Sequence, residues 1–178
     1  SIRLSGGLGN QMFQYAAARA AALDRGAQLV LDLRSLSGDH GHNNYGLYFF
    51  RLAEKNLRTT HIRTHGIRSA LQRLTKPKIL RRYVSVHHQQ RHFEPFPETG
   101  GNDLNLRGFF QSEAYFADIA GILRRDFLPV APLSDAANLW LDRIKATPTA
   151  VSLHIRRGDY TDNRTQPGSY VDCAPDYY

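Results

Sequence analysis

The sequence predicts an α/β fold built on a parallel sheet, and three observations carry that prediction. Residues 2–33 read as strand, helix and strand in close succession, and a strand–helix–strand unit joins parallel strands. A glycine-rich run, Gly6-Gly7-Leu8-Gly9, falls between the first strand and the helix, where α/β domains place a tight turn beneath a ligand. Far along the chain, a β-branched run from Thr149 to Ile155 leads into the charged segment His154-Ile155-Arg156-Arg157-Gly158-Asp159-Tyr160. That repeats the arrangement of polar chemistry at a strand tip.

The elements follow in order. Ile2-Arg3-Leu4 forms a short strand, Gly6 to Gln11 a glycine loop, and Met12 to Arg25 a helix. Ala16, Ala17, Ala18, Ala20, Ala21 and Ala22 give that helix high propensity. Met12, Phe13, Ala16, Ala20 and Leu23 fall at helical spacing, and Gly26 is placed to end the helix. Gln28 to Leu33 is the second strand, and Arg34 to Asn44 a polar loop. The aromatic run Tyr45 to Leu52 is expected to pack against the core. Ile67, Ala70, Leu71 and Leu74 have helical spacing, which Pro77 ends. Residues 93–97 read as an irregular connection and Leu104 to Phe110 as a strand. Ser112 caps a helix expected over Glu113–Phe127, with Tyr115, Phe116, Ile119, Ile122, Leu123 and Phe127 on its buried side. Ser134 caps another helix, with Ala137, Leu141 and Ile144 on one face and Trp140 alongside. No internal repeat interrupts this order.

Composition narrows the classes. The chain has 178 residues and an apolar fraction of 42%, enough for a sizeable core without covalent staples. Cys173 is its only cysteine, so no internal disulfide forms and a reduced, cytoplasmic setting is expected. No run of eighteen apolar residues marks a membrane span. The formal net charge is +7, and it is concentrated: between Arg51 and Arg91 eleven positions are Lys or Arg and only Glu54 is acidic. Such a stretch attracts phosphate, nucleic acid or an anionic membrane, or it is a solvated basic face. Interleaved with Ile67, Leu71, Leu74, Ile79 and Leu80, it also reads as a segment lying on an anionic membrane, peripheral to the inner membrane.

Two motifs carry chemistry. In Gly6-Gly7-Leu8-Gly9-Asn10-Gln11, glycines permit positive φ and close approach of a ligand to the backbone. The free N–H groups and dipole at the following helix favour an anion. A nicotinamide-dependent oxidoreductase is one reading, since Gly7-x-Gly9 opens the dinucleotide fingerprint and Asp32 stands where a ribose-binding acid belongs. Against it, Met12 occupies the place of the third glycine, and Asn10 and Gln11 crowd the turn. A basic nucleic-acid-binding module is another reading, but no recognised module or interleaved stacking aromatics accompany the charge, and no nucleic acid is expected. In the second motif, Arg156 and Arg157 at a strand tip can bring two guanidinium forks to a diphosphate. Gly158 turns the chain, and Asp159 can hold one guanidinium.

The run Gly6-Gly7-Leu8-Gly9-Asn10-Gln11-Met12-Phe13-Gln14-Tyr15-Ala16 resembles the amino-terminal signature of the α-1,2-fucosyltransferase family. His154 to Tyr160 resembles that family's arginine motif, which α-1,6- and protein O-fucosyltransferases share in looser form. Gly108-Phe109-Phe110-Gln111-Ser112-Glu113-x-Tyr115-Phe116 is similar to a third family segment, and Cys173 with Tyr177-Tyr178 to a fourth. The matches run the length of the chain in the family's order.

The resemblance implies a B-type glycosyltransferase fold of two Rossmann-like halves with the active site in the cleft between them. Residues 1–147 would form the amino-terminal, acceptor-side half, and residues 149–178 the beginning of the GDP-fucose-binding half. The chain would then be a fragment, inactive in isolation. The implied reaction moves L-fucose from GDP-β-L-fucose to a galactoside hydroxyl, inverting the anomeric centre to an α-1,2 linkage. The acceptor is a galactose-terminated glycan, and lipid-linked acceptors in bacterial relatives fit the basic stretch. Arg156 is the implied catalytic residue against the diphosphate, with His154 and Arg157 beside it and Gly7, Gly9 and Asn10 facing the donor from the other half. Asp159 and Glu113 are the candidate bases. No cofactor is implied, and with no Asp-x-Asp triplet in the chain, no metal.

Overall fold

The computed structural model describes residues 1–36, 44–52, 57–60, 83–88, 92–100 and 103–153. The chain divides into two compact units, Ser1–Pro132 and Leu133–Tyr178. The first is organised around five strands: β1 (Ile2–Arg3), β2 (Leu29–Asp32), β3 (Leu57–Thr60), β4 (Tyr83–His88) and β5 (Asp103–Gly108). Their order is β3-β2-β1-β5-β4, and every neighbouring pair is parallel. The parallel sheet expected from the sequence is present, and it is compatible with a Rossmann-like fold.

Register fixes the faces of the sheet. Ile2 stands opposite Leu31 on one side and Leu106 on the other, so these three point to one face. Ile2, Leu4, Leu29, Leu31, Leu104 and Leu106 are all buried, whereas Arg3, Val30, Asn105 and Arg107 between them are half-buried. The strands therefore alternate, unlike the continuous apolar runs usual in parallel sheets. Strands β3 and β4 escaped the sequence reading for a related reason. Leu57-Arg58-Thr59-Thr60 and Tyr83 to His88 are short and polar, and both sit inside the basic stretch. The helical spacing noted over 67–74 lies outside the described residues.

Helix α1 (Leu8–Asp24) packs on β1 and β2 through alanines. Ala16, Ala17, Ala18, Ala21 and Ala22 are buried, and such small side chains let a helix approach a sheet closely. The helix starts one turn before the expected Met12. Gly7 is its N-cap in an extended conformation, and the Gln11 N–H donates to the Gly7 carbonyl at 3.1 Å. Its buried side also differs from the expected one: Phe13 and Leu23 are exposed, while Gln11, Gln14 and Arg19 are buried. An alanine helix offers little apolar contrast, so polar anchors decide which face turns inward. At its far end Gly26 takes φ +56°, and the Ala27 N–H reaches the Ala22 carbonyl at 2.8 Å, the glycine stop that the sequence marks.

After β5 the chain does not form the single helix expected over 113–127. Two 3-10 turns, Glu113–Tyr115 and Ala117–Ile119, precede a short helix α2 (Ala120–Asp126). Phe116 between the turns adopts φ −147° and ψ 13°, which no helix accommodates. Aromatic packing wins here: Tyr115 contacts Phe93, Phe96 and Phe110, and Phe116 meets Phe13 edge-on. Ser112 still caps, accepting from the Ala114 N–H at 3.4 Å. α2 is tied to α1 by Asp126, which accepts from the Tyr15 hydroxyl at 2.7 Å and from Arg19 Nε at 3.3 Å, with all three residues buried. The aromatic run at 45–52 packs only in part. Leu47 and Leu52 are buried, but Tyr48 and Phe49 remain exposed.

The second unit contributes helix α3 (Asp135–Ala146), capped as expected by the Ser134 hydroxyl, which accepts from the Ala137 N–H at 3.3 Å. Of the expected face, Ala137 and Leu141 are half-buried and Ile144 is exposed; Trp140 carries the Arg143 guanidinium over its ring. The strand expected over 149–155 is not seen in its described part, since residues 150–153 have no regular structure. They have no strand partner among the described residues, and an unpaired strand has no ladder to hold it. Among the described residues no helix is long and apolar enough to cross a membrane.

Candidate functional site

The carboxyl ends of β1 and β5 emerge side by side at the centre of the sheet. Strand order departs from chain order there, and in open α/β sheets ligands bind outside the carboxyl ends of the strands at such a point. Three segments meet at this edge: the glycine turn entering α1, the loop leaving β5, and residues 44–46.

Two buried glutamines hold them together. Gln11 donates through Nε2 to the carbonyls of Gly6 at 2.9 Å and Asn44 at 2.8 Å, and its Oε1 accepts from the Gly46 N–H at 2.9 Å. Gln14 accepts through Oε1 from the Ser5 N–H at 3.0 Å. Its Nε2 donates to the Ser5 hydroxyl at 3.1 Å and to the Gly108 carbonyl at 3.0 Å. Both side chains are fully buried. Buried amides are costly unless paired, and here each supplies the bonds that three stretches of irregular backbone lack. The sequence reading treated Asn10 and Gln11 as crowding the turn and gave Gln14 no role. The available signal was a second amide three residues after Gln11, on the same side of an otherwise alanine-rich helix.

The glycines of the turn divide into two kinds. Gly6 has φ +73°, so its conformation requires glycine, and a Cβ on it would displace the Asn10 amide, whose Nδ2 lies 2.7 Å from that position. Gly7 and Gly9 have negative or helical geometry, and a Cβ on either would meet nothing within 4 Å. Neither is needed by the fold around it. Both are exposed, and the first turn of α1 holds no acidic residue and no side-chain cap. Among the described residues the N–H groups of Leu8, Gly9 and Asn10 are without partners. The turn thus presents bare donors and the positive end of a 17-residue helix to whatever lies above it.

The loop leaving β5 forms the opposite wall. Phe109 is exposed and packs by its ring edge against Gly6, 3.4 Å from the Cβ position. Phe110 is fully buried with φ +52°. Gln111 Nε2 donates to Asn10 Oδ1 at 2.8 Å. Glu113, one of the candidate bases, lies exposed in the turn that follows.

Asp32 is committed elsewhere. Its Oδ1 accepts from the Arg34 N–H at 3.1 Å and Arg34 Nε at 2.8 Å; its Oδ2 accepts from Arg3 Nε at 3.0 Å and from Arg34 Nη2. Four donors fill the four acceptor positions of a carboxylate, leaving none for a ribose hydroxyl. The nicotinamide reading rested on Gly7, Gly9 and Asp32, and it loses the carboxylate. Burial raises the Asp32 pKa, but the Arg34 and Arg3 donors outweigh it and hold the value down at about 2. His154, Arg156, Arg157 and Asp159 of the second motif lie outside the described residues, as does most of the basic stretch.

Comparison with known proteins gives this edge its context. The family model described as glycosyl transferase family 11 matches residues 1–178. An alpha-1,2-colitosyltransferase of Escherichia coli is 34% identical over 186 residues, covering 99% of this chain and 60% of that protein. No solved structure matches the chain. The chain belongs to glycosyltransferase family 11, the fucosyltransferase family expected from the sequence motifs, and it spans about 60% of the length of the colitosyltransferase. That family is one of glycosyltransferases.

The Asp32 cluster gives a pH signature. A depressed carboxylate pKa adds stability that is complete above the unfolded value of 3.8 and is lost as pH falls through about 2. Asp32→Asn should lower the unfolding free energy by about 1–2 kcal/mol at pH 7, after allowance for solvent screening. Urea melts should show that difference closing between pH 4 and 2. A difference that stays constant over this range contradicts the assignment.

Proposed function

We propose that the chain belongs to an enzyme that transfers L-fucose from GDP-β-L-fucose to a galactoside hydroxyl, forming an α-1,2 linkage with inversion. Residues 1–147 form its acceptor-side half, and residues 149–178 open its donor-binding half. The observation that carries this reading is the uncapped glycine turn, where exposed donors and two glycines with no local steric purpose stand at the carboxyl edge of the sheet. Family membership supports it, and the relative's name supplies the α-1,2 transfer.

The chemistry follows from charge. GDP gains negative charge as the glycosidic bond breaks, and preorganised positive groups lower that barrier. Arg156, with Arg157 and His154 beside it, meets the diphosphate through a bidentate fork that lysine cannot copy. Gly7, Gly9 and Asn10 of the glycine turn meet the donor, and the free N–H groups of Gly9 and Asn10 need no reorganisation to do so. The acceptor hydroxyl attacks in line and loses its proton late, to Asp159, to Glu113 or to the departing phosphate. The acceptor is a galactose-terminated glycan. A lipid-linked one would bring the basic stretch 51–91 to an anionic membrane surface, where each Lys or Arg adds about 1 kcal/mol of attraction.

Colitose is a second candidate sugar, because the relative is a colitosyltransferase. It is fucose without the 3-hydroxyl, so a site that hydrogen-bonds that hydroxyl discriminates by orders of magnitude.

Transfer by the full-length enzyme from GDP-fucose to a galactoside, with linkage read by NMR, tests the reading. Arg156→Ala should cost roughly 2–5 kcal/mol in transition-state terms, and Arg156→Lys should also fail, because a point charge does not copy the fork. Wild-type turnover by Arg156→Lys sinks the role of the fork, and strong preference for GDP-colitose moves the donor assignment to that sugar.

The two kinds of glycine give an independent check. Gly9→Ala should leave thermal stability unchanged or raised, since alanine is favoured over glycine in a helix by about 1 kcal/mol. It should nevertheless weaken donor binding at least several-fold by filling the approach to the backbone. Gly6→Ala should destabilise by about 1–2 kcal/mol through its left-handed φ. Gly9→Ala with unaltered donor affinity removes the argument from open space.

A further inference from the structure

The side chain of Asn10 projects from the first turn of α1, and its Nδ2 lies over Gly6, as the 2.7 Å approach to the Cβ position shows. Its Oδ1 is engaged by Gln111 Nε2 at 2.8 Å. Among the described residues neither Asn10 Nδ2 nor Gln111 Oε1 has a partner. The Asn10 amide keeps that bond on turning over only if the Gln111 amide turns with it, so the contact couples the orientation of the two side chains.

Gln111 is itself held in place by an unusual backbone. Gly108 has φ +131° and Phe110 has φ +52°, and the Ser112 N–H closes on the Phe110 carbonyl at 2.8 Å, making a three-residue turn with Gln111 at its apex. A bulky residue at positive φ is uncommon and persists only where its surroundings over-determine it. Phe110 meets that condition: it is fully buried, and its ring packs on Phe96 and Tyr115. Gln14 anchors the same loop from inside through the Gly108 carbonyl. The result is a strained loop whose apex carries an exposed side chain toward one atom of the glycine turn. A solvent-exposed amide pair contributes little to stability, so the fold alone does not account for the arrangement.

We infer that Gln111 is a positioning residue that fixes the Asn10 amide, so that Asn10 Nδ2 donates to an oxygen of the sugar nucleotide above the glycine turn. The inference rests on the reading that this turn faces the donor. It assigns Gln111 no contact with the reacting atoms.

Kinetics on the full-length enzyme, with donor and acceptor varied separately and thermal melting in parallel, test it. Asn10→Ala and Gln111→Ala should each raise the donor KM about 5- to 20-fold, with acceptor KM and melting temperature little changed. The double variant should be no worse than Asn10→Ala alone, because Gln111 acts only through Asn10. Gln111→Glu should match Gln111→Ala or exceed it, since it sets a carboxylate against Asn10 Oδ1. Asn10→Asp should keep the contact with Gln111 yet lose the donor N–H, and so should also raise the donor KM. If Asn10→Ala raises the donor KM and Gln111→Ala does not, or if their effects multiply in the double variant, the positioning role is overturned. If Asn10→Ala leaves the donor KM unchanged, the donor-facing reading of the turn falls, and this inference with it.

Discussion

The site depends on one constraint: buried polar groups must be paired, and the irregular backbone at the centre of the sheet cannot pair itself. Gln11 and Gln14 resolve it. Between them they bond the backbone of Ser5, Gly6, Asn44, Gly46 and Gly108. Without them, three loops would bring unsatisfied N–H and C=O groups into the core at a cost of about 1–3 kcal/mol each. With them, the loops become fixed walls around the first turn of α1. The glycine turn and the start of the loop leaving β5 are both tied to those two side chains.

The same constraint explains what the turn leaves open. The glutamines engage the backbone of Ser5, Gly6, Asn44, Gly46 and Gly108, while among the described residues the N–H groups of Leu8, Gly9 and Asn10 have no partner. Positive electrostatics thus concentrate on the outer side alone. The proposed donor, GDP-fucose, carries two phosphates, and its leaving group gains negative charge that must be stabilised. A rigid turn with free donors suits that task because nothing must reorganise when the charge develops. The neighbouring Asp32 does not oppose it, since Arg3 and Arg34 neutralise that carboxylate.

Much of this was legible in the sequence, and the failures are instructive. The βαβ unit, the glycine turn, the glycine stop at Gly26 and the caps at Ser112 and Ser134 were all signalled by residue type at fixed spacing. Strands β3 and β4 were not, because short polar strands show no apolar run and the surrounding basic residues masked them. The helix expected over 113–127 broke at Phe116, where aromatic packing overrode propensity. The inward face of α1 was misjudged because apolar periodicity cannot rank one alanine above another, whereas two glutamines with backbone partners can. Asp32 matched a ribose-binding position in one dimension, but in three dimensions Arg34 had already taken its lone pairs. Residues Gly7, Gly9 and Asn10 were named as donor-binding, and they lie together at the start of α1; Gln14 and Gln111 were missed because their partners lie about a hundred residues away in the chain.

The central claim is that the free donors at the start of α1 receive the nucleotide sugar. Amide hydrogen exchange of the full chain, with and without GDP-fucose, addresses it residue by residue. The account predicts that the N–H groups of Leu8, Gly9 and Asn10 exchange freely in the apo protein and become protected on adding ligand. Those of Ala16 to Ala22, already bonded within α1, should change little. Protection confined to other parts of the chain, with the three turn amides exchanging as before, contradicts it.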